Sequence, residues 1–132
     1  MNIGAAAKAS GLPTKTVRYY ADVGLVAPSA RTASGYRDYE EGDVRRLAFV
    51  RRARSFGFSV NECRELLALY ADRDRASAAV KDIATARIAE LDRQMTELAA
   101  LRADLSRLAE ACRGDGDPDC PILNGLAGRP AR

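Results

Sequence analysis

The chain has 132 residues, of which 47% are hydrophobic and 30% charged, with a formal net charge of +3, three cysteines and no histidine. That composition suits one modest domain with an appendage, and it excludes a membrane span, because no apolar run approaches the roughly 18 residues a span requires. MNIGAAAKASGL at the N-terminus has neither the basic start nor the long apolar stretch of a signal peptide, so a cytoplasmic location with reduced thiols is expected. Charge is unevenly divided. Residues 1 to 70 hold 11 Lys and Arg against 7 acids, and residues 71 to 132 hold 10 against 11, so the first half is the one suited to a polyanion.

In chain order, GLP at 11 to 13 separates a short alanine-rich helix from TKTVRYYADVG. Helical spacing there puts Val17, Ala21 and Gly24 on one side and Lys15, Arg18, Tyr19 and Asp22 on the other. Two short helices joined by a glycine-containing turn read as helix-turn-helix. SGYRDY at 34 to 39 predicts a turn flanked by a short extended pair, the size of a small wing. From Glu41 to Phe56 the pattern is helical, with Val44, Leu47 and Ala48 on one stripe and Gly57 at the C-cap. SVNE at 59 to 62 has capping-box form, Ser59 as N-cap and Glu62 reaching back, and opens a helix to about Tyr70. Val60, Cys63, Leu67 and Tyr70 are spaced three, four and three apart, which makes Cys63 a core filler rather than a ligand.

The longest segment runs from Val80 to about Cys112, near 50 Å if continuous. Its apolar positions are Ala84, Ile88, Leu91, Met95, Leu98, Leu101, Leu105, Leu108 and Cys112, with one irregularity at Leu98 that a coiled coil absorbs as a stammer. A helix of this length cannot bury its own stripe. It calls for another helix, most simply its copy in a second subunit.

Two constellations carry chemistry. Lys15 and Arg18 lie one turn apart on an exposed face, as needed to reach a major groove, while Tyr36 and Arg37 at the wing tip could grip the adjacent backbone. The second is the cysteine pair in ACRGDGDPDCPILNG, residues 111 to 125. Zinc takes four ligands, which two thiols without histidine do not easily supply, whereas a soft monovalent ion such as Cu(I) accepts two sulfurs. Cys112 ends the apolar stripe, and Cys120 precedes Pro121, a favoured first helical residue whose neighbouring amides would lower the thiol pKa. Spacing alone leaves a metal site and an ordinary thiol pair both open. No phosphate-cradling loop and no nucleophile–base pair is visible, so catalysis is not expected.

TVRYYADVGLV, GYRDY and LAFVRRARSFGFS together resemble the N-terminal domain of the MerR family of transcription regulators, and the resemblance continues through the long helix to CRGDGDPDCPI. It implies a mainly α, winged-helix homodimer joined by an antiparallel coiled coil, acting on promoters whose two polymerase elements are too far apart. It further implies that Lys15, Arg18 and Tyr19 enter the major groove, Tyr36 and Arg37 sit on the wing, and Arg54 lies near a phosphate. The cysteine pair resembles the metal loop of the copper-efflux, CueR-type branch. Divalent sensors of the family carry cysteine at the start of the dimer helix and monovalent sensors serine; this chain has Ser77 there, and Lys81 matches the copper pattern. The chain departs from some copper sensors in lacking a Cys- and His-rich tail after Gly128, and from the iron–sulfur sensors in lacking a tight cysteine cluster.

The resulting expectation is a winged helix-turn-helix DNA-binding domain at 1–70, a linker at 71–79, a dimerisation helix at 80–111, a metal loop with a short helix at 112–128 and a tail at 129–132. Cys112 and Cys120 would hold Cu(I), or Ag(I) or Au(I), with Ser77 and Lys81 beside them, and the dimer would activate copper-efflux genes by distorting promoter DNA shared with RNA polymerase. One rival reading is a thiol–disulfide switch on the same fold. The other is a metal-buffering coiled-coil protein whose basic half is merely surface.

Overall fold

Six helices and one two-stranded hairpin form the regular structure of residues 1–116 and 118–128, which the computed structural model describes. The tail expected at 129–132 lies outside the described residues. The chain divides into two units, Met1–Arg87 and Ile88–Arg132. Among the described residues, no helix is long and apolar enough to cross a membrane.

In the first unit, α1 (Ile3–Ser10) starts where the Asn2 side chain accepts from the Ala5 amide at 2.9 Å, and it ends at Gly11, whose φ of 77° reverses the chain. Its buried face is Ala6 and Ala7, small enough to let α2 (Thr14–Asp22) and α3 (Glu41–Ser55) pack against it. Helix α2 buries Val17 and Tyr20, then Leu25 and Val26 follow it into the core. The predicted Val17–Ala21–Gly24 stripe is therefore corrected. Ala21 is half-buried, and Gly24 has already left the helix at a φ of 70°. The hairpin pairs β1 (Ala30–Arg31) with β2 (Arg37–Asp38), antiparallel, with Ala30 opposite Asp38 and Arg31 opposite Arg37.

Helix α3 buries Asp43, Leu47, Val50 and Ala53, whereas the predicted stripe residues Val44 and Ala48 flank that face and are half-buried. The apolar count missed the true stripe because an aspartate stands in it. Phe56 is the C-cap and Gly57, with a φ of 87°, is the residue after it. Helix α4 (Val60–Ala71) has the predicted capping box: the Glu62 amide donates to Ser59 Oγ at 3.1 Å and the Ser59 amide to Glu62 Oε1 at 2.8 Å. Cys63 is wholly buried, as expected of a core filler. Tyr70 is not on the buried stripe; it is 69% exposed, its ring 5.3 Å from that of Phe49.

Helix α5 (Ser77–Ala111) begins three residues before the predicted Val80, because Ala78 and Ala79 are strong helix formers that extend it toward α4. It has no buried residue. In the second unit, α6 (Pro121–Leu126) lies against the end of α5, where a Cβ added at Gly125 would meet Leu108 Cδ1 at 2.7 Å.

Asp43 has no exposed side-chain surface, yet it is an ion. It accepts from the Glu40 amide at 2.9 Å, the Ser29 amide at 3.0 Å, the Ser29 hydroxyl at 2.8 Å and the Arg46 guanidinium. Burial pushes its carboxyl up, but the Glu40 and Ser29 donors and Arg46 outweigh that and hold it below the ordinary carboxylate range. A depressed folded-state pKa adds stability that is fully present above the unfolded value, about 3.9, and is lost as pH falls through the folded value. Asp43→Ala is expected to cost about 3 kcal/mol at neutral pH, since it orphans buried donors. Denaturant unfolding across pH checks this: the gap between wild type and variant should narrow only in the acid range, below about pH 4.

Candidate functional site

Helix α2 has no side-chain cap at Pro13 and packs through Val17 and Tyr20, which leaves Lys15, Arg18 and Tyr19 on its outer face. Tyr19 is half exposed and its ring leans on that of Tyr20 at 5.9 Å. The hairpin turn closes through Gly35, at a φ of 86°, whose amide donates to Thr32 O at 2.9 Å; the Thr32 hydroxyl in turn accepts from the Tyr36 amide at 3.1 Å. That turn lifts Tyr36 to 74% exposure. A shallow depression lined by Asn2, Arg18, Arg31, Tyr36 and Arg37 joins the α2 face to the hairpin.

The fold thus brings Arg18, Tyr36 and Arg37 together on one surface. It also adds Arg31, which the sequence reading missed. Arg31 faces Arg37 across the hairpin and donates to Gly35 O at 3.1 Å, and only the strand register could have revealed the pairing. Three guanidinium groups along one rim form a surface suited to a row of phosphates. Lys15 is exposed on the same helix but does not line the depression. Arg54, in the last turn of α3, is exposed and donates from Nη1 to Phe58 O at 2.9 Å, which ties down the α3–α4 turn.

The second candidate lies in the other unit. Cys112 directly follows α5, its amide still donating to Leu108 O at 3.2 Å, and Cys120 is the N-cap residue of α6 with Pro121 at its first position. Both thiols are free and half-buried. The amide of Leu123 does most to hold the Cys120 thiol below its usual range; burial opposes this, the Ile122 amide and the Cys112 thiol add to it, and Asp119 opposes it. Cys63 is the reverse case: burial pushes its thiol up, as suits an inert core residue. Among the described residues, no group of three or more His, Cys, Asp or Glu side chains could hold a metal ion. Among the described residues the Cys112–Cys120 pair thus offers two sulfur donors, a set chemically suited to a soft ion of low coordination number. Ser77 and Lys81, in the first unit, are exposed in the first turns of α5.

Comparison with known proteins identifies the family. The family described as "MerR HTH family regulatory protein" matches residues 1–69, and that described as "MerR, DNA binding" matches residues 44–108. The HTH-type transcriptional regulator HmrR of Rhizobium leguminosarum bv. viciae is 56% identical over 127 residues, covering 96% of this chain and 98% of that protein. The regulator CueR of Yersinia pestis is 44% identical over 128 residues, covering 97% of this chain and 92% of that protein. A crystal structure of the transcription regulator PbrR691 from Ralstonia metallidurans, in complex with lead(II), superposes with a TM-score of 0.80 at 34% identity, covering 96% of this chain and 98% of that one. With its basic helix-turn-helix, its hairpin and these full-length matches, the chain belongs to the MerR family of DNA-binding transcription regulators and is not an enzyme.

Proposed function

We propose that this chain is a heavy-metal-responsive regulator whose effector is Cu(I), with Ag(I) and Au(I) as chemical equivalents, and that as a homodimer it activates copper-efflux genes by distorting promoter DNA. The observation that carries the reading is the pair of free, half-buried thiols of Cys112 and Cys120 at the two ends of one short loop, with no cluster of three or more His, Cys, Asp or Glu among the described residues. The likeness to CueR supports the copper assignment. The lead(II) in PbrR691 supports only a heavy-metal ligand, and lead is divalent. Ser77 argues against a divalent ion here, since a cysteine at that position would offer a third thiolate.

Bound by both thiolates, a monovalent ion forms a group of net charge −1, whose burial calls for compensation. The Leu123 and Ile122 amides supply part of it. Lys81 of a second, antiparallel copy would supply more. Ordering the loop against the dimer helix then gives the differential contact between two dimer shapes that an allosteric ligand needs. DNA is bound in both states and is untwisted or kinked in one, so that Lys15, Arg18, Tyr19, Tyr36, Arg37 and Arg54 keep their contacts while the promoter elements realign. Two free, half-buried thiols on one short loop also favour a second reading, a thiol–disulfide switch. Peroxide response without metal would mark that switch; response to Cu(I) under reducing conditions marks the sensor.

Three outcomes are expected. In a reducing competition titration, the wild type takes up one Cu(I) per chain, while Cys112→Ser or Cys120→Ser abolishes uptake and transcriptional induction but spares DNA binding. Retained induction in Cys112→Ser, or its loss in Cys63→Ser, would remove the site assignment. Ser77→Cys should extend induction to Zn(II) or Hg(II), and a wild type that already answers Zn(II) as strongly as Cu(I) would contradict the two-donor argument. Arg18→Ala should cost about 1–3 kcal/mol of binding to a duplex selected by the wild type from a random pool, and should relax discrimination at one position. A shift assay at fixed salt measures it, and equal affinity would exclude this face; no selectable duplex at all would favour the buffering protein.

A further inference from the structure

Arg64 is the one basic residue of α4, and sequence reasoning gave it no role. Its guanidinium reaches 40 residues back along the chain: Nη1 donates to Gly24 O at 2.9 Å and Nη2 to Val23 O at 3.1 Å. Val23 is the C-cap of α2 and Gly24 is the left-handed residue after it. The contact is therefore a two-pronged clamp on the carbonyl end of the helix that carries Lys15, Arg18 and Tyr19.

The end of α2 needs such a partner. A helix leaves its last carbonyls without intrahelical donors and carries partial negative charge there. Tyr19 O accepts from the Val23 amide at 3.0 Å, Tyr20 O from the Leu25 and Val26 amides at 2.9 and 3.2 Å, and Ala21 O from the Gly24 amide at 3.1 Å. Further out, the Val23 and Gly24 carbonyls go to Arg64. Helix α2 has no basic residue in its last turn, and Asp22 closes it with a charge of the wrong sign for that end. The cation that belongs there comes from α4 instead. At the other end, Pro13 provides no side-chain cap, so α2 is held by Val17 and Tyr20 on its inner side and by Arg64 at its tip.

We propose that Arg64 is a positioning residue for DNA reading: by clamping the Val23 and Gly24 carbonyls it fixes the tilt of α2, and it makes α4, the element next before α5 in the chain, the support on which the reading helix rests. The proposal rests on α2 being the reading helix, which the Arg18 experiment tests separately. A planar fork can bridge two carbonyls where the point charge of lysine cannot hold both in register.

The test uses the full chain and the duplex selected by the wild type, with a scrambled duplex of equal length as the nonspecific probe. Wild type, Arg64→Ala and Arg64→Lys are compared over a range of salt, with the folded fraction of each monitored by circular dichroism. Arg64→Ala should lower the preference for the selected duplex about tenfold, with the slope of log affinity against log salt unchanged, and Arg64→Lys should recover part of the loss. A slope reduced by about one, with both duplexes weakened alike, would make Arg64 a phosphate ligand and overturn the proposal. An unchanged preference in the fully folded variant overturns it as well, since a purely structural contact would move the melting temperature and not the preference. Arg64→Lys, which keeps the charge, decides the question if Arg64→Ala does not fold: full wild-type preference in it would show that charge alone suffices and that no two-pronged clamp sets the tilt.

Discussion

A single carboxylate removed from water sets the geometry on which the reading surface depends. Asp43 takes donors from Ser29, just before β1, and from Glu40, just after β2, and it lies in the first turn of α3. Both ends of the hairpin are therefore tied to the start of one helix by bonds to the same oxygen, Oδ2, while Arg46 holds Oδ1. The hairpin has only two residues per strand, too few to hold itself in place. Asp43, together with the Met1 amino group on Asp38 and Tyr39 O and the buried Tyr39 ring, holds the hairpin against the helices. An ion pair in a core often contributes little net stability, but here the donors number four and their directions differ, so the gain is in orientation.

The same economy governs α2. Its inner side contributes few large residues to the core, and the core itself is small: Val17, Tyr20, Leu25, Val26, Tyr39, Leu47, Val50 and Cys63 with a few alanines. Small residues on α1 let three helices approach closely, so that a thin layer of apolar contact suffices and the outer faces stay free for charge. Polar tethers then supply the orientation that so few apolar contacts leave loose. Arg54 on Phe58 O and Arg87 on Phe56 O, at 2.8 Å, do at the α3–α4 turn what Asp43 does at the hairpin.

What could be read from the sequence follows the range of the interaction. The Ser59–Glu62 capping box, the turn at Gly35 and Pro121 at the first position of α6 are local, and each was legible from a few adjacent residues. Cys63 was legible because its spacing with Val60 and Leu67 is a helical repeat. Asp43 was hidden because a search for apolar periodicity passes over an acid, even one whose spacing to Leu47 is four. Tyr70 was misplaced for the opposite reason: it continues the period, but the helix has by then run past the core. Arg31 became visible only with the hairpin register, and Arg64 only with a contact across 40 residues. Of the candidate site, the two thiols and the exposed side of α2 could be named beforehand, while their surroundings could not.

The second unit has the opposite energetics from the first. Ile88, Leu91, Met95, Leu98, Leu101 and Leu105 are each 36 to 67% exposed along α5, a row left open by the described residues. Covering the exposed part of each is worth roughly 1 kcal/mol, so a pair of such helices gains roughly 10 kcal/mol in all. Association itself costs about 4–15 kcal/mol. An interface balanced in this way is stable only with some further contact, and it has no deep minimum that fixes one geometry. Dimerisation is typical of the family, and a coupling free energy of about 1–3 kcal/mol, the usual reach of an allosteric ligand, would be lost against the tethered core of the first unit. Against a nearly balanced helix pair the same energy is enough to select between arrangements.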